Sequence, residues 1–397
     1  MNSISTKTND QWQDYKFSDL CKITRGASPR PIHEWVTQSG GMPWVKISDA
    51  TASNSRYLSK TKEQIKLDAV RMSVQVHPGD LIVSNSATPG IPKFLTIDAC
   101  IHDGWLLLRD IKDTTTKEYL YYLLVSIREG LLQLGNGSIF TNLKTDILKN
   151  YPVKIPSKDI QSLIWKTLSF IDDKIDLLHT QNETFEKLAQ ALFSGRFASL
   201  KKDNWTKTTL NDVISVKGGT TPSTSVSSYW DGKYNWTSPR DLSNSRSPFM
   251  TKTEKTITEE GLKQIGSGLL PKGTVLLSSR APIGYLAISD IEVAINQGYI
   301  AVVCDKKISN FYMYLWIKQN LDTIINAANG STFLEISKST FKSLEFILPP
   351  SDLLKIFDQQ VSPMFEKIRN NVYQINTLIE LRNKLLPKLM NGEIELK

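Results

Sequence analysis

Cysteine is scarce in this chain, with only Cys21, Cys100 and Cys304 among 397 residues. They are odd in number, far apart and without C-x-x-C spacing, which excludes a disulfide framework or a zinc knuckle and fits a reducing cytoplasm. Histidine is as sparse, and His33, His77, His102 and His179 show no metal-ligand spacing. No apolar run approaches the roughly 18 residues of a membrane span, and the polar stretch from Met1 to Gln11 is unlike a signal peptide. The expectation is a soluble, cytoplasmic protein without a membrane partner. Catalytic motifs are missing too. There is no G-x-x-x-x-G-K-[ST] phosphate loop, no Asn/Asp-Pro-Pro-aromatic motif of an amino-group methyltransferase, and Gly266-Ser267-Gly268 lacks the third glycine of a dinucleotide loop. Serine, histidine and aspartate occur, but nothing positions them as a triad. The chain is therefore expected not to be an enzyme by itself and to carry no cofactor of its own.

What is present is length, positive charge and repetition. The chain exceeds the usual single-domain size and is 40% hydrophobic, so two or more packed cores are expected. Net charge is +8, which suits a polyanion. Residues 1–156 hold 19 basic against 15 acidic side chains and residues 198–349 hold 17 against 13, so each segment carries +4. The intervening 157–197 and the final 350–397 together sum to zero.

The two basic segments are copies. Phe17-Ser18-Asp19-Leu20 pairs with Leu210-Asn211-Asp212-Val213, Gly26 with Gly219, Pro29 with Pro222, Asn136-Gly137-Ser138 with Asn329-Gly330-Ser331 and Pro156 with Pro349, all at an offset of 193. Trp44 with Trp236 and Gly79 with Gly273 drift from it by one residue, as loop insertions would produce. This is a tandem duplication. Short apolar or β-branched runs at Leu81–Val83, Val153–Ile155, Val275–Leu277, Ile300–Val303 and Leu344–Leu348 predict strands. Helical spacing predicts helices over Glu118–Leu134 and Asn310–Ala327.

After each proline anchor the period lengthens. Ile164, Leu168, Ile171, Ile175, Leu178, Asn182, Phe185, Leu188 and Leu192 step by three and four, as do Val361, Phe365, Ile368, Val372, Ile375, Ile379 and Arg382. Such stripes predict coiled-coil helices, with Ser157 and Ser351 as N-caps and Gly195 and Gly392 as stops. A lone stripe of this kind suits a homodimer. Two copies in one chain can pack on each other about a pseudo-twofold axis, which makes them antiparallel. At about 1.5 Å per residue, helices of roughly 35 residues span about 50 Å. The expected fold is α+β: a first globular domain at 1–156, a long helix at 157–197, a second, similar domain at 198–349 and a second long helix at 350–397.

Tyr229–Leu242 (YWDGKYNWTSPRDL), Ile257–Leu262 (ITEEGL), Leu276–Gly284 (LLSSRAPIG) and Ala294–Gly298 (AINQG) resemble the target-recognition domain of type I restriction–modification specificity subunits. The first copy resembles another subgroup of that domain through Met42–Asp49 (MPWVKISD) and Ile101–Trp105 (IHDGW), and the helix ends Leu188–Phe193 and Leu385–Gly392 resemble the family as well. The resemblance covers nearly the whole chain. It implies that each domain reads one half of a bipartite double-stranded DNA target and that the helices act as spacer and docking surface for two modification subunits. Restriction subunits would join for cleavage, with S-adenosylmethionine, ATP and Mg2+ on the partner subunits. A chain serving methylation alone would look the same, and a coiled-coil protein-interaction scaffold without DNA specificity is the alternative from another class.

Base edges are read by bidentate Arg, Lys, Asn or Gln, and phosphates by cations, hydroxyls and backbone N–H groups in glycine-rich turns. Loops with that mixture supply the candidates. In the first domain they are Arg25, Arg30, Lys46, Ser48, Asn85, Asn136 and Ser138. In the second they are Lys217, Thr220, Thr221, Arg240, Ser279, Arg280, Gln297, Asn329 and Thr332, and Lys46, Arg240 and Arg280 are the foremost of both sets. Duller roles stand beside these. Gly218-Gly219 can be a plain tight turn, Arg240 can pair with Asp241 or Glu260, and Gln297 can satisfy buried backbone groups. Trp44, Trp105, Trp230 and Trp236 are read as core rather than as stacking platforms.

Overall fold

A computed structural model describes residues 12–52, 55–134, 142–198, 205–243, 247–330 and 334–394. Four helices carry most of the helical packing: α1 at Lys117–Leu134, α2 at Lys158–Phe193, α3 at Asn310–Gln319 and α4 at Ser351–Met390. The chain forms two compact units, one of Met1–Asp176 with Leu378–Lys397, the other of Leu177–Thr377. Each unit thus takes one α+β domain and a stretch of both long helices.

In the first unit a five-stranded sheet runs in the order Lys22–Arg25, Trp105–Arg109, Leu81–Ser84, Pro92–Leu95, Tyr57–Leu58. Its central strands are buried at every position but Arg109, because the sheet is covered on both faces. Alternation then splits one strand between two cores. Leu81, Val83, Leu106 and Leu108 join Leu120, Leu124 and the helices, while Ile82, Leu107 and Trp105 join Val45, Val76 and Ile101 of a second five-stranded sheet. Gln13–Lys16 pairs antiparallel with Pro152–Ile155, tying the start of the domain to its end.

The second unit repeats this plan. Its sheet order is Ser215–Gly218, Tyr299–Val303, Val275–Ser279, Ile283–Ser289, Phe249–Met250. Val275, Leu277, Ile300 and Val302 face the helices, whereas Leu276, Tyr299 and Ala301 face Val293 and Ile295. A ribbon of Thr206–Thr209 with Glu345–Leu348 closes the domain as in the first copy. The expected strands are all present, but the helix expected over Asn310–Ala327 is broken at Asn320 into α3 and a short Leu321–Asn326 helix.

The long helices run antiparallel within each unit. In the first, Ile164 and Leu168 of α2 share a core with Leu386, Leu389 and Met390 of α4, and further along α2 the Asp172 carboxylate meets Arg382 at 2.8 Å. In the second, the Asn371 amide donates to Asn182 at 2.8 Å, and the Phe193 ring lies 5.8 Å from that of Phe357. Gln161 anchors the start of α2, its buried amide bonding Thr115, Thr114 and Pro156 at 2.8–2.9 Å.

Several helix details correct the sequence reading. Leu188 is 45% exposed, and Ala189 and Phe193 take the buried places near the end of α2. A straight helix drifts about 20° per heptad from a 3.5-residue repeat, which carries the seam one position along. Ser351 is the first helical residue, so the carbonyl of Pro350 takes the Leu354 N–H and the cap falls one residue earlier. Gly195 does not stop α2, which continues as a wider π turn through Ser194–Ala198. Gly392 does follow the end of α4, in the left-handed region at φ +76°.

The three cysteines are unpaired, and burial pushes the Cys21 and Cys304 thiols up to about 12, so both stay protonated. Among the described residues no helix is long and apolar enough to cross a membrane, and no group of three or more His, Cys, Asp or Glu is placed to hold a metal ion.

Candidate nucleic-acid interface

The strand Lys22–Arg25 pairs with Trp105–Arg109, which brings the loop after Arg25 against the turn before Trp105. Gly26 N–H donates to the Trp105 carbonyl at 2.8 Å and Ala27 N–H to the Ile101 carbonyl at 3.2 Å. Only glycine permits this approach, since a Cβ at position 26 would lie 2.1 Å from the His102 carbonyl oxygen. Inside the turn, Gly104 N–H donates to His102 Nδ1 at 2.8 Å. Burial lowers the pKa of His102 more than neighbouring Asp103 raises it, so the ring is a neutral acceptor at neutral pH. Ser28 Oγ donates to Asp103 Oδ1 at 2.6 Å, and Asn85 N–H reaches the Gly104 carbonyl at 2.8 Å. A neighbouring segment is braced by Asp49, which accepts from the backbone of Lys46 at 2.8 Å and of Lys62 at 3.2 Å.

The second domain builds the same frame from other residues. Thr220 N–H bonds the Ile295 carbonyl at 3.0 Å, and a Cβ at Gly219 would lie 1.8 Å from that oxygen. Gly298 N–H donates to Asn296 Oδ1 at 2.9 Å, Thr221 Oγ1 to Gln297 Oε1 at 2.7 Å and Ser279 N–H to the Gly298 carbonyl at 2.8 Å. Asp241 accepts from the backbone of Ser238 and of Glu254, each at 2.8 Å. Each bond has its counterpart 192 to 194 residues earlier. The duplication is therefore one of hydrogen-bonding geometry as well as of sequence.

On this frame the expected residues separate into two sets. Arg25, Arg30, Lys46, Arg240 and Arg280 keep accessible side chains, Arg240 the most at 82%. Ser48, Lys217, Thr220, Gln297 and Asn329 are also exposed, and Thr221 is half-buried behind its bond to Gln297. Asn85 and Ser279 are 5% and 3% exposed, and their backbone N–H groups and the Asn85 amide hold the turn together. Backbone polar groups lining such a turn must be satisfied internally, which the N–H groups of Asn85 and Ser279 and the Asn85 amide serve. Asn136, Ser138 and Thr332 lie outside the described residues.

The cations are braced by carboxylates that the sequence reading passed over. Arg25 and Arg30 approach Asp103 at 3.8 and 3.7 Å, Lys46 meets Glu63 at 2.6 Å and Arg280 meets Glu335 at 3.6 Å. Arg240 pairs with Glu254 at 3.9 Å rather than with Asp241 or Glu260. Setting His102-Asp103-Gly104 over Asn296-Gln297-Gly298 would have exposed Asp103, which stands where the other copy has Gln297. Trp44, Trp105 and Trp236 are core side chains, and Trp230 packs edge-on against Trp236 at 5.1 Å.

A polar platform of loops, built twice on one hydrogen-bonding frame and seated in each unit beside antiparallel helices, defines a duplicated recognition protein. The sequence signature of the type I restriction modification DNA specificity domain matches residues 9–187 and again 202–380. The chain belongs to this family of type I restriction–modification specificity subunits. It is similar to the type I restriction enzyme MjaIX specificity subunit of Methanocaldococcus jannaschii, 26% identical across 98% of this chain and 95% of the relative. The HindI specificity subunit of Haemophilus influenzae is 21% identical across 96% of this chain and 99% of its own length. The crystal structure of the type I restriction–modification S subunit from M. genitalium shares the fold, with a TM-score of 0.58 at 17% identity and 99% coverage of both chains.

Proposed function

We propose that each loop platform reads one half of a bipartite double-stranded DNA target. The long helices then dock two modification subunits, and restriction subunits complete a cleaving assembly. In this reading the chain selects the site and performs no chemistry. Methyl transfer and ATP-driven steps, with S-adenosylmethionine, ATP and Mg2+, fall to the partners, and the setting is the cytoplasm. The observation that supports it most is that both domains keep one frame while its exposed side chains differ, Arg240 standing where the first copy has Ser48 and Arg280 where it has Ser86. A constant frame with variable contacts is what two readers of different half-sites require.

Arginine substitution separates base reading from phosphate positioning. In the complex assembled with modification subunits, Arg240→Ala or Arg280→Ala is expected to cost about 1–3 kcal/mol of binding and relax preference at one position of one half-site if the side chain reads a base. A phosphate contact would instead weaken all sequences evenly and lower the salt slope by about one. The measurement is competition binding over a salt series. Wild-type binding and methylation by both variants would contradict the assignment of the second platform.

A further inference from the structure

The turn at the centre of each platform presents one side chain latched by a hydroxyl from the facing loop. Ser28 latches Asp103 at 2.6 Å in the first domain, and Thr221 latches Gln297 at 2.7 Å in the second. The latches stand 193 residues apart and the latched residues 194. Everything around them is matched, including the glycine that admits the loop, the turn closed on its own glycine N–H and the backbone bond from position 85 or 279. What differs is the latched group itself.

We infer that Asp103 and Gln297 are a matched pair of specificity-determining residues, Asp103 accepting from an exocyclic amino group of a base and Gln297 donating to an acceptor edge. This rests on the reading of the platforms as DNA-binding. An ionised carboxylate can only accept, whereas an amide whose oxygen is engaged by a hydroxyl still offers two N–H donors. The Ser28 hydroxyl above all, with Arg30, holds the Asp103 carboxyl below its usual range despite partial burial, so it is charged at neutral pH. Among the described residues Asp103 Oδ2 has the guanidinium groups of Arg25 and Arg30 at 3.8 and 3.7 Å, beyond hydrogen-bond length. The side chain is 42% exposed and can still receive a donor. In the major groove only cytosine and adenine show an amino donor, while guanine, thymine and the adenine ring nitrogen show acceptors. The two domains are thus set for opposite hydrogen-bonding partners at the same structural position.

The test uses the complex assembled with its modification subunits and a DNA library varied at every position, comparing the parent with Asp103→Asn, Gln297→Glu and the latch variant Ser28→Ala. Both first substitutions preserve size and reverse the hydrogen-bonding role: Asp103→Asn puts a donor where there was an acceptor, and Gln297→Glu an acceptor where there was a donor. Asp103→Asn is expected to change the preferred base at one position of one half-site, with selectivity there moving by about tenfold or more, and to leave the other half-site alone. Gln297→Glu should do the same in the opposite half. Ser28 is a positioning residue, so Ser28→Ala should weaken selectivity at the Asp103 position without changing which base is preferred. If the parent is selective and both exchange variants keep its preference at every position, the assignment of these two residues is overturned. A parent without any base preference would overturn the DNA-reading function itself.

Discussion

Replacing Gly219 with valine is expected to remove selection at one half-site and leave the other unchanged. The new Cβ would lie 1.8 Å from the Ile295 oxygen, 2.4 Å from its carbonyl carbon and 2.6 Å from the Asn296 oxygen. These are backbone atoms and cannot rotate away. The loop must separate from the turn, breaking the Thr220–Ile295 bond and drawing the Thr221 latch off Gln297. Overpacking of this kind costs about 1–3 kcal/mol, and opening a surface loop relieves it without unfolding the sheets. The expected readout is a loss of selectivity of about a hundredfold at the second-domain half-site, in the range that one to two lost base contacts would give. Gly26→Val should do the same to the other half-site. Gly218→Ala is the control, because the atoms nearest its Cβ would all belong to the flexible end of Lys338. Equal damage from Gly218→Ala and Gly219→Val in competition binding would remove the steric argument.

Loss of the Phe365 ring should have the largest effect on stability. The side chain is fully buried, stacked on Phe311 at 4.5 Å and 9°, and edge-on to Tyr314 at 5.8 Å and to Phe249 at 6.2 Å. Phe365→Ala is expected to cost about 3–5 kcal/mol, the usual range for removing a core aromatic. It should appear as a lower urea midpoint with an unchanged slope for the transition of the second unit. The repeat places Asp172 at the equivalent position, where the first unit has an ionic solution: the carboxylate accepts from Tyr122 and from Arg382, each at 2.8 Å. One position of the duplication has thus been filled by an apolar stack in one copy and, in the other, by a buried carboxylate paired with a half-buried arginine. A cost below about 1 kcal/mol for Phe365→Ala would mean that the aromatic cluster collapses onto the vacated space.

The parts of this architecture legible in the sequence are those whose signal is local and repeated. Leu81–Ser84 and Tyr299–Val303 read as strands because both faces are buried and the apolar run is nearly continuous. Two-residue strands such as Val36–Thr37 and Tyr57–Leu58 are too short for any period to show, and only their partners define them. The long helices were legible from their stripes. Their division between the two units was not, since a stripe shows that a face is buried but not which core receives it. At the platforms, charge and loop composition point to Arg25, Lys46, Arg240 and Arg280, whose side chains keep 38% to 82% of their surface accessible. The same composition also points to Asn85 and Ser279, which are buried, because a polar residue in a loop looks alike whether it meets solvent or satisfies a backbone turn. Asp103 was passed over for an electrostatic reason: a carboxylate is not sought where phosphates are expected, although cytosine and adenine amino groups call for one.

The claim that the two domains are autonomous readers of two half-sites is tested most directly by a domain exchange. Residues 1–156 would be replaced by the first domain of another family member, a cut that keeps the Gln13–Lys16 and Pro152–Ile155 ribbon whole. Methylated bases would then be mapped in DNA modified by the assembled complex. The expected result is a bipartite target in which one half takes the donor's sequence and the other half is retained. A folded and active complex in which both halves change, or in which neither does, would contradict the account.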